Sequence, residues 1–117
     1  MSKRVLVVDD EQNIRMLYDA ELTAEGYEVT VAESGDEALV AVSRNRPDIV
    51  VLDVKLADDD GLDILSSIRK EDRTLPIVLN SAYSVYKADF NSWLADAYVV
   101  KSSDLTELKS RIRELLG

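Results

Sequence analysis

The 117-residue chain contains no cysteine and no histidine. Without thiols it can form neither a disulfide nor a thiolate metal site, and that absence is neutral evidence for a reducing compartment. Without imidazole it has no Ser-His-Asp relay, no histidine zinc site and no access to the commonest general base. Long apolar runs are missing as well: nothing approaches the roughly 20 residues needed to span a bilayer. The basic start Lys3-Arg4 leads only into Val5-Leu6-Val7-Val8 before two acids, too short for the core of a secretion signal. A soluble, cytoplasmic protein is the expectation. Positive charge is scarce, with 14 Lys and Arg against 23 Asp and Glu and a net charge of −9. Phosphate backbones and anionic membranes should be repelled, so neither is an expected partner, whereas basic partners and metal cations are favoured. No glycine-rich turn follows the first apolar run, which argues against a nucleotide or flavin cradle.

What is present fits one compact domain over residues 1–117, 46% hydrophobic and 32% charged, with no linker or low-complexity tract. That length leaves no room for a separate output or DNA-binding domain, unless the chain is a fragment of a longer regulator or hybrid kinase. The run Ile49-Val50-Val51-Leu52-Asp53 stands at the centre. Four branched apolar residues in a row read as a strand buried on both faces, and an acid closes it. Ligand sites in parallel sheets lie just beyond the carboxyl ends of the strands.

Around it the chain alternates strand and helix. Arg4 to Val8 reads as a strand. Asp10 can cap a helix from Glu11, with Ile14, Leu17, Tyr18 and Leu22 on its apolar side and Gly26 at its end. Glu28 to Ala32 is a second strand, and Ser34 with Glu37 forms a capping box for a helix bearing Ala38, Leu39 and Val42. Ile49 to Asp53 is the third strand; Asp58 to Gly61 is a turn before a helix with Leu62, Leu65 and Ile68. Pro76 to Leu79 is a fourth strand, running out at Asn80-Ser81. A weakly periodic segment, Val85 to Trp93, is read as helix, Ala97 to Val100 as a fifth strand, and Leu105, Leu108, Ile112 and Leu115 mark a last helix. Five such alternations predict an α/β fold with a parallel sheet covered by helices on both faces.

Such a sheet gathers its strand ends on one edge, which would collect Asp9 and Asp10, Asp53, Ser81 and Lys101. Each has an ordinary reading: a turn and cap for the Asp9-Asp10 pair, a turn hydroxyl for Ser81, a solvated charge for Lys101. Their coincidence on four strand ends makes a coherent set. Crowded carboxylates repel unless a cation intervenes. An all-oxygen set favours a hard cation such as Mg²⁺ over zinc. A carboxylate beside that ion can attack phosphorus, while the metal, Lys101 and Ser81 share the charge of the phosphoryl oxygens.

On these residues the chain resembles the receiver domains of bacterial two-component response regulators (CheY-like) over essentially its whole length. The residues that carry the resemblance are Val7-Val8-Asp9-Asp10, Val51-Leu52-Asp53, Gly61, Ser81-Ala82 and Tyr98-Val99-Val100-Lys101. It implies a doubly wound (βα)5 flavodoxin-like fold with strand order 2-1-3-4-5. It implies that Asp53 accepts a phosphoryl group from a sensor histidine kinase or phosphotransfer protein. Mg²⁺ would be held by Asp10, Asp53 and the backbone carbonyl of Lys55, with Asp9 acting through water, while Lys101 and Ser81 contact the phosphate. Ser81 and Tyr98 would form the switch, relaying the change to the face of segment 85–93, the fifth strand and the last helix. That face would meet a downstream protein target, or a second copy in a homodimer. Phe90, Trp93 and Tyr86 in that segment are candidate contacts or core. Such a domain phosphorylates and dephosphorylates itself but turns over no free substrate, so it is not expected to be an enzyme in the usual sense.

The chain departs from the family in three places. Ser102 follows Lys101 where proline is common, and a trans bond is expected, since a cis bond before a non-proline residue costs roughly 3–4 kcal/mol. Leu56 and Ala57 replace a common methionine and proline. Lys55 and Tyr83 stand where the family tunes access of water to the phosphoryl group, and this bulky pair is expected to slow hydrolysis. A haloacid-dehalogenase-type phosphatase would need a second acid where Lys55 stands. A phosphate-independent interaction module of the same fold is the alternative, although such relatives typically lose an acid or the lysine, and all are present here.

Overall fold

In the computed structural model of the chain, residues 2–54, 61–82 and 95–117 are described. Their elements are β1 (Arg4–Val8), α1 (Gln12–Ala24), β2 (Glu28–Ala32), α2 (Gly35–Arg44), β3 (Ile49–Asp53), α3 (Gly61–Glu71), β4 (Ile77–Ser81), β5 (Ala97–Val100) and α4 (Thr106–Leu116). All four strand pairings are parallel and the sheet runs β2-β1-β3-β4-β5, as the resemblance implied. The expected helix 85–93 and turn 58–60 lie outside the described residues, as do Lys55, Leu56, Ala57 and Tyr83.

Strand pleating sends alternate side chains to opposite faces. Leu6, Val8, Val50, Leu52, Ile77, Leu79 and Tyr98 pack with Ala38 and Val42 of α2 and Leu65 and Ile68 of α3. Val5, Val7, Ile49, Val51, Val78 and Val99 pack with Tyr18 and Leu22 of α1 and Leu108 and Ile112 of α4. The sheet is therefore covered on both sides, which explains why β3 at its centre is buried along its whole length. The edge strand β2 is less covered, and its Val31 remains 42% exposed.

Several local expectations change on contact with the structure. Glu11, not Asp10, is the N-cap of α1, and no side chain caps it. The N–H of Glu11 instead donates to Asp9 Oδ1 at 2.9 Å. Leu17 faces outward, so the buried side of α1 rests on Tyr18 and Leu22, with Ile14 packed partly against them. β4 begins at Ile77 and runs on through Asn80 and Ser81, because both continue the ladder opposite Val99 and Val100. The Ser34 cap forms as read, Oγ accepting from Glu37 N–H at 3.2 Å. The Glu37 carboxylate, however, takes the N–H of Glu33. Gly26 has the positive φ of 97° that suits a helix exit, and its N–H donates to Thr23 O.

Candidate functional site

Asp9 leaves β1 held at three points, two on its backbone and one on its side chain. Its N–H donates to Ala32 O, its carbonyl accepts from Arg15 Nη1 at 2.8 Å, and its Oδ1 takes the Glu11 N–H. The carboxylate is thereby fixed and almost fully buried. Asp53 closes β3 by continuing the parity of Ile49 and Val51, which places it on the α1/α4 side of the sheet. Asp10 is half-buried beside them, and one carboxylate oxygen from each of Asp9, Asp10 and Asp53 lies within 4.8 Å of the others.

Lys101 enters this group one residue past β5. Its backbone N–H donates to Ser81 O at 2.6 Å, so the ends of β4 and β5 fix where the side chain starts. Its Nζ lies 2.7 Å from Asp9 Oδ2 and 3.1 Å from Asp53 Oδ2. The lysine is thus nearer Asp9 than Asp53, a pairing that the resemblance did not single out. Burial alone would depress the ammonium, but the Asp9 hydrogen bond and the charges of Asp53 and Asp9 outweigh it and hold it above the ordinary lysine value. The Lys101–Ser102 bond is trans, as expected, with no cis peptide among the described residues. Ser81 is buried on the neighbouring strand end. Tyr98 is 4% exposed and packed into the α2/α3 core.

Three carboxylates face one ammonium here, an excess of acid that an oxygen-seeking divalent cation relieves. The donor set contains only oxygen, which fits Mg²⁺ and disfavours softer metals. Asp9, Asp10 and Asp53 are the described residues able to hold such an ion. The fourth expected ligand, the Lys55 carbonyl, lies outside the described residues.

Two residues beneath the site escaped the sequence reading. Tyr18 Oη donates to Asn80 Oδ1 at 2.6 Å, and Asn80 Nδ2 donates to Val99 O at 3.1 Å, all buried. Burial pushes the Tyr18 phenol up to about 12, Lys101 opposing the shift and Asp9 adding to it. The available signal was a polar atom at two positions where the periodicity asks for apolar ones. Arg15 was missed too; it holds the Asp9 carbonyl and lies 3.5 Å from Glu33.

Comparison with known proteins agrees with this geometry. A family model described as the response regulator receiver domain matches residues 5–113. Among curated proteins, the probable transcriptional regulatory protein TcrX of Mycobacterium tuberculosis is 40% identical, covering 96% of this chain and 49% of its own. The alkaline phosphatase synthesis transcriptional regulatory protein PhoP of Bacillus subtilis is 34% identical, covering 99% and 49%. The chain thus spans about half the length of these curated relatives. Among solved structures, the response regulator TrrA of Thermotoga maritima in complex with Mg²⁺-BeF is 47% identical, with a TM-score of 0.91 over 97% of this chain and 98% of that one. TrrA in complex with the histidine kinase ThkA matches with a TM-score of 0.90 and the same identity, covering 98% and 99%. Among the described residues no helix is long and apolar enough to cross a membrane.

Proposed function

This chain belongs to the response regulator receiver domains of two-component systems, and from that premise we propose that it is a phosphorylation switch with Asp53 as the phosphoacceptor. The observation that carries the reading is the convergence of Asp9, Asp10 and Asp53 around the ammonium of Lys101. An Asp53 carboxylate oxygen attacks the phosphorus of a phosphohistidine on a partner sensor kinase or phosphotransfer protein. The new O–P bond forms as the P–N bond breaks, and the imidazole leaves with a proton from solvent. Lys101 stays protonated through the step and moves its charge toward the arriving phosphoryl oxygens. Asp10 and Asp53, with Asp9 through water, would hold Mg²⁺, which supplies positive charge to those oxygens when bound. That TrrA has been crystallised with Mg²⁺-BeF supports the metal, and its complex with ThkA supports a kinase as partner.

Ser81 then bonds the phosphoryl group, and Tyr98 answers on the neighbouring strand by shifting its packing against the α2/α3 core. The face of segment 85–93, β5 and α4 would change for a downstream protein target. The domain catalyses only its own phosphorylation and hydrolysis, and its working compartment is the cytoplasm. Incubation with Mg²⁺ and acetyl phosphate, followed by intact-mass analysis, tests the core of this reading. One phosphoryl increment is expected in the wild type and none in Asp53→Asn or without Mg²⁺. An unchanged wild-type mass would refute the phosphoacceptor role and favour a phosphate-independent interaction module.

A further inference from the structure

We propose, resting on the reading of Asp53 as phosphoacceptor, that Tyr18 is a positioning residue for the site, acting through Asn80, which stands beside Asp53. Across the ladder Asp53 is the partner of Asn80, and Asn80 is the partner of Val99. These three residues form one lateral row at the end of the sheet. Strand parity puts Asp53 and Asn80 on the same face, since Ile49, Val51 and Val78 all pack toward α1 and α4. The side chain next to the reactive carboxylate is therefore a buried amide, carrying two donors and an acceptor.

That amide is committed elsewhere. Its oxygen accepts from Tyr18 Oη at 2.6 Å and its nitrogen donates to Val99 O at 3.1 Å. The Tyr18 bond sets the amide's orientation, because an oxygen held by the phenol leaves the nitrogen pointing at β5. Released from the phenol, the amide can turn its NH₂ toward Asp53 and donate to the oxygens that must reach phosphorus. The second bond matters for a different reason. Val99 lies two residues before Lys101, whose long side chain depends on the end of β5 for its starting point. The bridge from α1 to Asn80 to β5 thus fixes both partners of the reaction, the carboxylate's surroundings and the lysine's origin. The charges of Lys101, Asp9 and Asp53 are felt at the phenol, consistent with Tyr18 lying directly beneath them.

The competing explanation is a satisfied polar pair that serves packing alone. Tyr18→Phe by itself strands the Asn80 oxygen and would confuse stability with positioning. The informative variant is Tyr18→Phe/Asn80→Leu, which removes both partners of that bond and leaves apolar groups of similar shape, so that only the Val99 carbonyl loses a donor. Initial rates of Asp53 phosphorylation by acetyl phosphate at saturating Mg²⁺ would be read by intact mass, beside thermal unfolding. The double variant is expected to stay folded, with a cooperative melt above the assay temperature, so that a change in rate is not a loss of fold. The positioning role predicts a rate lowered about tenfold or more, the range carried by groups that orient a metal site from behind. A double variant with wild-type rate overturns the proposal.

A second readout is independent of phosphorylation. The ¹⁵N signal of the Lys101 ammonium, held between Asp9 and Asp53, should shift or broaden in the double variant. It should stay in place in a control that alters core packing far from the row, such as Val42→Ala. An unchanged Lys101 signal overturns the positioning role even if Asp53 proves unreactive in every protein. An unreactive wild type with a displaced Lys101 signal in the double variant removes the phosphoacceptor reading while sustaining the positioning of Lys101.

Discussion

Replacing Lys101 with methionine is the perturbation whose outcome the structure specifies most closely. The side chain keeps its apolar stem but loses an ammonium that is 12% exposed and lies 2.7 Å and 3.1 Å from carboxylates that are 3% and 7% exposed. At an effective dielectric of about 20, each contact represents a gross attraction of about 5–6 kcal/mol. Much of that is offset by the cost of drying three charges. What remains after the lysine goes is the larger problem: Asp9, Asp10 and Asp53 face one another with no cation. Removing one partner of a buried ion pair typically costs about 3–5 kcal/mol. At roughly 4 °C per kcal/mol for a domain of this size, the melting temperature should fall by about 12–20 °C. Mg²⁺ supplies the missing charge, so the variant should recover more stability on adding the metal than the wild type gains. At a concentration 100 times the dissociation constant, binding contributes about 2.7 kcal/mol. Urea unfolding followed by circular dichroism, with and without Mg²⁺, measures both quantities. A loss below about 1 kcal/mol, or an equal metal effect in the two proteins, would refute the picture of one buried ammonium balancing an acidic cluster.

Two further outcomes follow from the folded state. The Tyr18 phenol is neutral to about pH 12 when folded and to 10.0 when unfolded, so its contribution is fully present below pH 10 and is lost as the pH rises from 10 to 12. Stability of the wild type should therefore fall by about 2 kcal/mol more than that of Tyr18→Phe across that window. An ultraviolet titration in which the component missing from Tyr18→Phe has its midpoint near 10 would contradict it. Ser34→Ala removes the hydroxyl that takes the Glu37 N–H at the start of α2, and should cost about 1 kcal/mol, or roughly 4 °C. A melting temperature unchanged within 1 °C would show that the exposed cap contributes nothing.

How far the sequence carried the fold depends on the kind of signal each segment gave. The run Val5 to Val8 and the run Ile49 to Leu52 are apolar at every position, and only a doubly covered parallel strand satisfies that. The Asp9, Asp53 and Lys101 triangle was legible because each residue ends such a run, and topology alone brings those ends together. What stayed hidden depends on tertiary placement. Asp10 and Asp9 are both acids before a helix, and nothing local says which one gives its carboxylate to the Glu11 N–H; the pull of Lys101 on the other Asp9 oxygen settles the geometry. Tyr18 obeys the helical period of an apolar residue, and its hydroxyl gains meaning only through a strand 62 positions further on. The burial of Tyr98 on an edge strand likewise comes from tertiary placement, since the α2/α3 side of the sheet covers it.

The pleat of the sheet also divides the site into two unlike halves. Asp53, Asn80 and Lys101 continue the faces of Val51, Val78 and Val99, which pack on α1 and α4. Ser81 continues the face of Ile77 and Leu79, and Tyr98 lies on that same side, over α2 and α3. On the first side the residue next to Asp53 has its amide pinned by two buried hydrogen bonds, so movement there costs those bonds. On the second side Ile77 and Leu79, which precede Ser81 on the same face, pack among the apolar residues of α2 and α3, and such contacts exchange one packing for another without stranding a polar atom. A change in charge at Asp53 therefore meets, on the α1 side, a polar row that moves only at the expense of those bonds. If the relay proposed for Ser81 and Tyr98 operates, the Tyr18–Asn80 bridge is the fixed point on the α1 side of the sheet against which those two residues move.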